Sequence, residues 1–287
     1  MTSTITLKRR ISSIRNTRQI TKAMELVSAS KLRRAQEQAA RSRDYRQAAY
    51  ALLARLNQIQ EVEQTPLFKR RTVRNRLYVV ITSNSGLAGA YNSNVLKLLT
   101  HSIQADRSAH IKSHVVTIGN KAAQFVRRVE NVELTAVYPA FGDSPSANDI
   151  RPILNTLLEM YRQEKIDEAQ VLYTVFRSSI AQEAVSLPLL PAQREETPAA
   201  EGVMNFEPDA ETVIDAVATR LIEVQVWQAL LESLASEHSM RMLAMKNATD
   251  NANDLIGDYT LEYNTARQAA ITQELAEISG GVEALKD

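Results

Sequence analysis

The fold is decided by residues 209–279, which read DAETVIDAVATRLIEVQVWQALLESLASEHSMRMLAMKNATDNANDLIGDYTLEYNTARQAAITQELAEIS. The stretch has no proline and a single glycine, Gly257, and it is flanked by Glu207-Pro208-Asp209 and Gly280-Gly281, residue types that start and stop helices. At about 1.5 Å per residue it predicts a helix of roughly 105 Å, which a domain of this size cannot bury along its whole length. Apolar or small residues recur at steps of three and four, the spacing of a coiled-coil seam. They are Val217, Leu221, Val224, Leu231, Ala235, Met242, Met245, Ala252, Ile256, Tyr259, Tyr263 and Ala266.

A second long helix is predicted at the other end of the chain. Residues 4–60 contain neither proline nor glycine, and at about 1.5 Å per residue they would span roughly 85 Å. The apolar face shifts register, because Arg18 and Thr21 fall where a strict heptad requires apolar residues. The face comprises Leu7, Ile11, Ile14, Ile20, Met24, Val27, Leu32, Ala35, Ala39, Ala49, Leu52, Leu56 and Ile59.

The two predicted helices carry opposite charge. Residues 1–60 hold thirteen Lys or Arg and three acids, whereas residues 209–279 hold twelve acids and four Lys or Arg. Opposite charges favour pairing, so we expect the two ends of the chain to form one long antiparallel coiled coil. The longer helix must then extend past its partner, and its uncovered apolar end indicates a surface for another protein. That end comprises Ile271, Leu275, Ile278, Val282 and Leu285.

Between the helices the pattern changes to alternating strands and helices. This alternation predicts a small, open, Rossmann-like α/β sheet, with Pro188 placing the fifth strand at an edge. We therefore divide the chain into an N-terminal coiled-coil helix (1–60), an α/β domain (70–195) and a C-terminal coiled-coil helix (208–287). Strands are predicted at 77–82, 115–118, 132–138, 171–176 and 184–190, and helices at 91–104, 121–129 and 149–165.

No constellation of residues points to catalysis. The turn 83–90 follows the first strand, where a phosphate cradle would sit, but it lacks the lysine and the glycine spacing of a nucleotide loop. Met240, Met242 and Met245 follow His238 on a helical stretch, which is typical of packing rather than of metal binding. The chain has no cysteine, which excludes disulfides, thiolate metal sites and thiol catalysis. These residues therefore single out neither a cofactor site nor an active site.

The sequence also limits the partners. The apolar runs are far shorter than a membrane span, so direct membrane insertion is not expected. Arginines lie at several angles around the N-terminal helix and aromatic residues are nearly absent there, which argues against nucleic acid and favours a partner lined with carboxylates. The first forty residues are rich in Arg and Ser, like an organelle transit peptide, but the helical pattern already starts at Leu7 and leaves little for a removable leader.

Two distinctive stretches lie near opposite ends of the chain. Residues 20–31 read ITKAMELVSASK and resemble the N-terminal signature of a known family, the gamma subunit of F-type ATP synthase. Residues 245–252, MKNATDNA, and 263–275, YNTARQAAITQEL, resemble its C-terminal signature. The resemblance spans essentially the whole chain. It implies a central shaft without an active site, turned by a membrane rotor ring inside a ring of alpha and beta subunits, which couples rotation to ATP synthesis or hydrolysis.

The resemblance also implies contact residues. Arg267 and Gln268 match the pair that hydrogen-bonds a loop of a beta subunit, and Met24 matches the position near the acidic lever of that subunit. The further implied contacts are Lys22 and Lys31 near Met24, Phe206 and Glu207 at the foot of the shaft near the rotor ring and the epsilon subunit, and Val282 and Leu285 at the apolar tip.

One turn departs from the family pattern. Asn84-Ser85-Gly86 stands where the family commonly has Asp-Arg-Gly, which puts a charge-dependent role of that turn in doubt. The resemblance, without a clear leader, predicts a peripheral protein at the cytoplasmic face of a bacterial plasma membrane. From the helices and the sheet alone, two alternatives stay open: a coiled-coil tether with an α/β recognition domain, and a nucleotide-binding enzyme that uses the Gly86 turn.

Overall fold

The computed structural model describes residues 4–56, 65–142, 145–192 and 209–284. They belong to two compact units. The paired-helix unit combines the residues up to Val27 with those from Met242 onward, and the sheet unit comprises Ser28–Arg241. Two long helices, α1 (Thr4–Leu56) and α5 (Ala210–Ala284), contribute residues to both units.

The sheet unit is built on five strands, β1 (Asn75–Ile81), β2 (Lys112–Ile118), β3 (Val132–Tyr138), β4 (Glu168–Phe176) and β5 (Gln182–Leu190). Their order is β3-β2-β1-β4-β5. The first four strands run parallel, and β5 pairs antiparallel with β4. The predicted Rossmann-like sheet is confirmed, including the edge position of the strand that contains Pro188. In the centre of the sheet, β1 reads as a continuous apolar run because both of its faces are covered.

Three helices connect the parallel strands: α2 (Tyr91–Ser108), α3 (Asn120–Val126) and α4 (Arg151–Arg162). The helix predicted at 149–165 is preceded by a separate 3₁₀ turn, Ala147–Ile150, and Pro152 lies in its first turn as predicted. Ser146 and Asp149 close that turn with a capping box, in which the Ser146 N–H donates to Asp149 Oδ2 at 2.8 Å. This box sets the point at which the chain turns back into α4.

The core of the sheet unit contains a fully buried carboxylate, that of Asp106. Asp106, near the end of α2, accepts hydrogen bonds from the Tyr78 hydroxyl at 2.8 Å and from Ser113 Oγ at 3.0 Å, and it pairs with Arg76. Arg76 also pairs with Glu168 at 2.8 Å. Burial and the bond to Asp106 raise the pKa of Tyr78 above its ordinary value. The network therefore joins α2 to β1, β2 and β4 with its polar groups satisfied.

Within the sheet unit, α5 packs closely on the sheet. Asp209 starts the helix by accepting the Thr212 N–H at 2.9 Å, as an N-cap does. All side chains from Ser233 to Ser239 are buried, and Ser236 Oγ donates to the Thr174 carbonyl of β4 at 3.1 Å. The small hydroxyl residues let α5 approach the strands and satisfy polar groups there.

The predicted stop of the C-terminal helix at Gly280-Gly281 is wrong, because α5 continues to Ala284. A glycine inside a helix costs only about 1 kcal/mol relative to alanine. A glycine that ends a helix usually adopts the left-handed conformation, and Gly281 does not adopt a positive φ. At the other end of the chain α1 is helical to Leu56, and residues 57–60 of the predicted helix lie outside the described residues.

Candidate partner-binding surface

In the paired-helix unit, α5 packs on α1 through a heptad seam. Buried and half-buried residues alternate at steps of four and three on both helices, which is coiled-coil spacing. On α5 they are Met245, Thr249, Ala252, Ile256, Tyr259, Tyr263 and Ala266, and on α1 they are Leu7, Ile11, Ile14, Arg18, Thr21 and Glu25.

Three contacts across the seam fix the direction of the two helices. The Thr21 and Thr249 hydroxyls are 2.8 Å apart. Arg18 Nη1 donates to Asn253 Oδ1 at 3.1 Å, and the Arg10 guanidinium lies 5.8 Å from the centre of the Tyr259 ring. As the α1 position decreases, the α5 position increases, so the helices are antiparallel as predicted.

The register shift predicted for the N-terminal helix is wrong. Arg18 and Thr21 lie in the seam, because they continue the heptad that begins with Leu7, Ile11 and Ile14. Ile20, Leu26 and Val27 are instead more than half exposed. A continuous helix cannot turn these residues inward without turning Leu7, Ile11 and Ile14 of the same helix outward. The unit therefore presents exposed apolar residues on α1, of which Ile20 and Val27 were predicted to lie in the seam.

Beyond Ala266 the end of α5 has no cover within the described part of the chain. Every side chain from Arg267 to Ser279 is exposed. Ile271, Leu275 and Ile278 are 48%, 60% and 65% exposed. The predicted uncovered apolar end is confirmed for these residues, and it is the clearest candidate binding surface.

Arg267 and Gln268 open this uncovered end. Both side chains are exposed, and among the described residues neither makes a hydrogen bond or an ion pair. Guanidinium and amide groups in this state are free to bind another protein. Of the other residues proposed for this end and for the foot, Val282 is described only as helical backbone, and Leu285, Phe206 and Glu207 lie outside the described residues.

Two candidate residues of α1, Lys22 and Met24, lie beside the seam rather than beyond its end. Met24 is half-buried. Lys22 is exposed, and its Nζ lies 3.0 Å from both carboxylate oxygens of Glu25. Lys31 is half-buried and belongs to the sheet unit. The structure therefore brings Lys22 and Met24 into one unit with Arg267 and Gln268.

The charges of the two helices do not act through direct pairs in this unit. Among the side chains of residues 4–27 and 242–279, the ion pair is Lys22–Glu25, which lies within α1. The exposed acids of α5 include Asp250, Asp254 and Asp258, spaced by four residues. The complementarity of net charge seen in the sequence therefore leaves a basic helix and an acidic helix both open to solvent.

The turn after β1 is closed by its own hydrogen bonds. The Ser83 N–H donates to Asn92 Oδ1 at 3.0 Å. Asn84 Oδ1 accepts the N–H groups of Asn120 and Ala140 at 3.2 and 3.0 Å, and its Nδ2 donates to the Ala140 carbonyl at 3.2 Å. Asn84 thus joins the ends of three parallel strands, and the structural interpretation of this turn is favoured over a phosphate cradle.

The remaining chemical candidates give no site in the part of the chain that the structure describes. Those residues contain no group of three His, Cys, Asp or Glu placed to hold a metal ion. Met245 is buried in the seam, as expected for packing. None of the described helices is both long and apolar enough to cross a membrane.

Known proteins resemble the chain along almost its whole length. The family model for ATP synthase matches residues 3–285. The chain is 42% identical over 282 residues to a protein of Stenotrophomonas maltophilia (strain R551-3) named ATP synthase gamma chain, covering 97% of this chain and 98% of that protein. A protein of the same name from Xylella fastidiosa (strain M12) is 41% identical over 282 residues, with the same coverage.

Solved structures share the fold. A chain in the Euglena gracilis mitochondrial ATP synthase, in a structure of OSCP, F1 and the c-ring, matches with a TM-score of 0.69 at 21% identity and covers 98% of this chain and 94% of its own. A chain in the Tetrahymena thermophila mitochondrial ATP synthase, in a structure of the central stalk and c-ring, matches with a TM-score of 0.61 at 24% identity and covers 80% and 99%. At these identities the likeness concerns the fold.

Proposed function

The chain belongs to the ATP synthase gamma chain family, and from that premise we propose that it is the central rotor shaft of an F-type ATP synthase. The observation that carries the proposal is the uncovered end of α5, where every side chain from Arg267 to Ser279 is exposed. A helix end with three exposed large apolar residues, uncovered by the described part of the chain, is suited to insertion into a surrounding ring of protein subunits.

The shaft performs no bond chemistry itself. It acts as a ligand whose faces differ, so that each catalytic beta subunit is stabilised in a different conformation according to the face it meets. Rotation moves that preference around the ring and couples ion flow to ATP synthesis or hydrolysis. The paired-helix unit supports this role because its faces differ: the outer side of α1 is basic with exposed Ile20, Leu26 and Val27, and the outer side of α5 carries acids.

Arg267 and Gln268 are proposed to bind a loop of a beta subunit. Both are exposed, and their side chains make no hydrogen bond or ion pair with described residues, so neither has to leave a polar partner in order to bind. The planar guanidinium offers donors in a fixed fork, which suits carbonyl or carboxylate oxygens.

Met24 is proposed to face the acidic lever of a beta subunit. An uncharged side chain there avoids an ion pair that would hold a moving surface too tightly. The ammonium of Lys22 is engaged by Glu25 of the same helix, so its charge toward a partner is reduced. Lys31 is a further proposed contact from the sheet unit.

The remaining partners follow from the same proposal. Ile271, Leu275, Ile278, Val282 and Leu285 would form the apolar tip in a bearing made by the alpha and beta subunits, and Phe206 and Glu207 would lie at the foot, near the membrane rotor ring and the epsilon subunit. We retain the division into 1–60, 70–195 and 208–287 for these parts. The protein is proposed to be non-catalytic and to lie peripherally at the cytoplasmic face of a bacterial plasma membrane, without contact with nucleic acid and without inserting into the bilayer. The Stenotrophomonas and Xylella relatives support the bacterial setting.

Reconstitution tests the proposal. The purified chain alone is expected to lack ATPase activity, and with alpha and beta subunits and the membrane part in vesicles it is expected to restore ATP synthesis driven by an ion gradient. Two matched variants locate the contact: Ile278 and Ile180 are 65% and 84% exposed, so aspartate at either position should leave the fold intact. Ile278→Asp is expected to impair assembly or synthesis, and Ile180→Asp is expected to preserve both. A wild-type chain that does not associate with alpha and beta subunits would reject the proposal.

A further inference from the structure

A polar layer interrupts the seam of the paired-helix unit. Its members are Arg18 and Thr21 on α1 and Thr249 and Asn253 on α5. Toward the start of α1 the seam is instead apolar and aromatic, with Leu7, Ile11 and Ile14 on one helix and Ile256, Tyr259 and Tyr263 on the other.

The two threonines of this layer have alternative acceptors on their own helices. Thr21 Oγ1 lies 2.8 Å from Thr249 Oγ1 and 3.0 Å from the Arg18 carbonyl. Thr249 Oγ1 also lies 2.8 Å from the Met245 carbonyl. Each hydroxyl has one proton to donate, so the contact across the seam uses one of the two protons and the other goes to a backbone carbonyl. When the helices separate, both hydroxyls can bind their own helix, and neither is left unsatisfied.

Water has access to the layer from one side. Gln19, Lys22 and Asp250, together with members of the layer, line a polar groove of about 460 Å³. Opening the helices here exposes polar groups to water that is already adjacent, whereas opening the apolar layers exposes hydrocarbon.

We propose that this polar layer is a compliant joint, the place at which α1 and α5 separate or twist before the rest of their shared seam does. The joint goes beyond the proposed function and is a property of the chain alone. In a shaft under torque, most of the twist would occur at the polar layer. The apolar layers lie on one side of it, and the part of α1 that carries Lys22 and Met24 lies on the other.

Amide hydrogen exchange on the full-length chain, followed by mass spectrometry, tests the joint. Thr21→Val with Thr249→Val keeps the side-chain shape and converts the layer to an apolar one. Peptides from 14–27 and 245–256 are expected to exchange about tenfold more slowly, since opening then exposes methyl groups in place of hydroxyls. The matched control is Thr17→Val with Thr265→Val. These residues make the same bond to their own helix, to the Ser13 and Leu261 carbonyls at 3.2 and 3.1 Å, but they are exposed outside the seam.

The outcomes distinguish a layer at which the helices separate easily from a contact that holds the helices together. The control pair and Thr21→Ser with Thr249→Ser, which keeps both hydroxyls, are expected to exchange no more slowly than the wild type. Unchanged or faster exchange in the valine pair would overturn the proposal, because the hydroxyl contact would then hold the helices together. Loss of helical circular dichroism in the valine pair would overturn it as well. The measurement needs no partner subunit, so its result does not depend on the proposed function.

Discussion

Substitutions at two arginines of α5 can distinguish an effect on the stability of the chain from an effect on coupling. Arg267 is exposed, and its side chain makes no hydrogen bond or ion pair with described residues. Arg241 lies in the sheet unit, where it forms an ion pair with Glu237 at 2.8 Å with both side chains 11% exposed. We expect Arg267→Ala to change the free energy of unfolding by less than about 0.5 kcal/mol, as for surface positions. Arg241→Ala leaves a nearly buried carboxylate without this partner, and we expect a loss of about 2–4 kcal/mol.

For Arg267 we expect a large effect on coupling, in contrast to its small effect on the free energy of unfolding. A hydrogen bond to a charged group contributes about 1.5–3 kcal/mol. Losing the Arg267 contact should therefore weaken the binding of this part of α5 to a beta subunit about ten- to hundredfold. Arg267→Lys keeps the charge but loses the planar fork, and an intermediate effect is expected.

Thermal unfolding and ATP-driven proton pumping, measured on the same preparations, check both expectations. Arg267→Ala should shift Tm by less than about 2 °C, and Arg241→Ala should lower it by about 4–10 °C. Pumping per ATP hydrolysed should fall in Arg267→Ala vesicles. The reasoning fails if Arg267→Ala lowers Tm as much as Arg241→Ala does, or if its pumping equals that of the wild type.

Two further expectations concern buried titratable groups of the sheet unit. Asp106→Ala removes the acceptor of Tyr78 and a partner of Arg76, and urea unfolding should show a loss of about 3–5 kcal/mol, whereas Asp254→Ala, at an exposed position, should stay within about 0.5 kcal/mol. Burial lowers the pKa of His114 below its ordinary value, so the folded chain binds a proton less readily than the unfolded chain, and stability falls as the pH drops below about 6.5. His114→Leu should therefore lose less stability than the wild type between pH 7 and pH 5 in urea titrations; an equal loss would contradict the assignment.

The elements with long, unambiguous periodicity were predictable from the sequence. The alternating steps from Met245 to Ala266 gave the α5 seam, and the short β-branched runs gave all five strands. These patterns repeat often enough that local exceptions do not change the result. The antiparallel direction of β5 was not predicted, because an edge strand reads the same in either direction.

The register of α1 was not predictable from local pattern alone. Ile20, Met24 and Val27 form an apolar face as good as the true seam at 18, 21 and 25, so counting apolar residues selects the wrong face. The correct choice follows from extending the heptad of Leu7, Ile11 and Ile14 through polar positions. A local count of hydrophobic residues does not detect this constraint, because the face of each residue is fixed by the continuity of the whole helix.

The distribution of exposed apolar residues bears on the tether alternative. Among the described side chains, thirteen large apolar ones are exposed, and three of these, Leu87, Val137 and Ile180, belong to the sheet unit. The other ten lie in the paired-helix unit, on residues 4–27 and 242–279. A tether needs an apolar seam between its helices and a polar outside, and outward apolar residues on both helices would only promote aggregation. Their concentration on the helices favours a shaft that is covered by surrounding subunits over a spacer that is exposed to solvent.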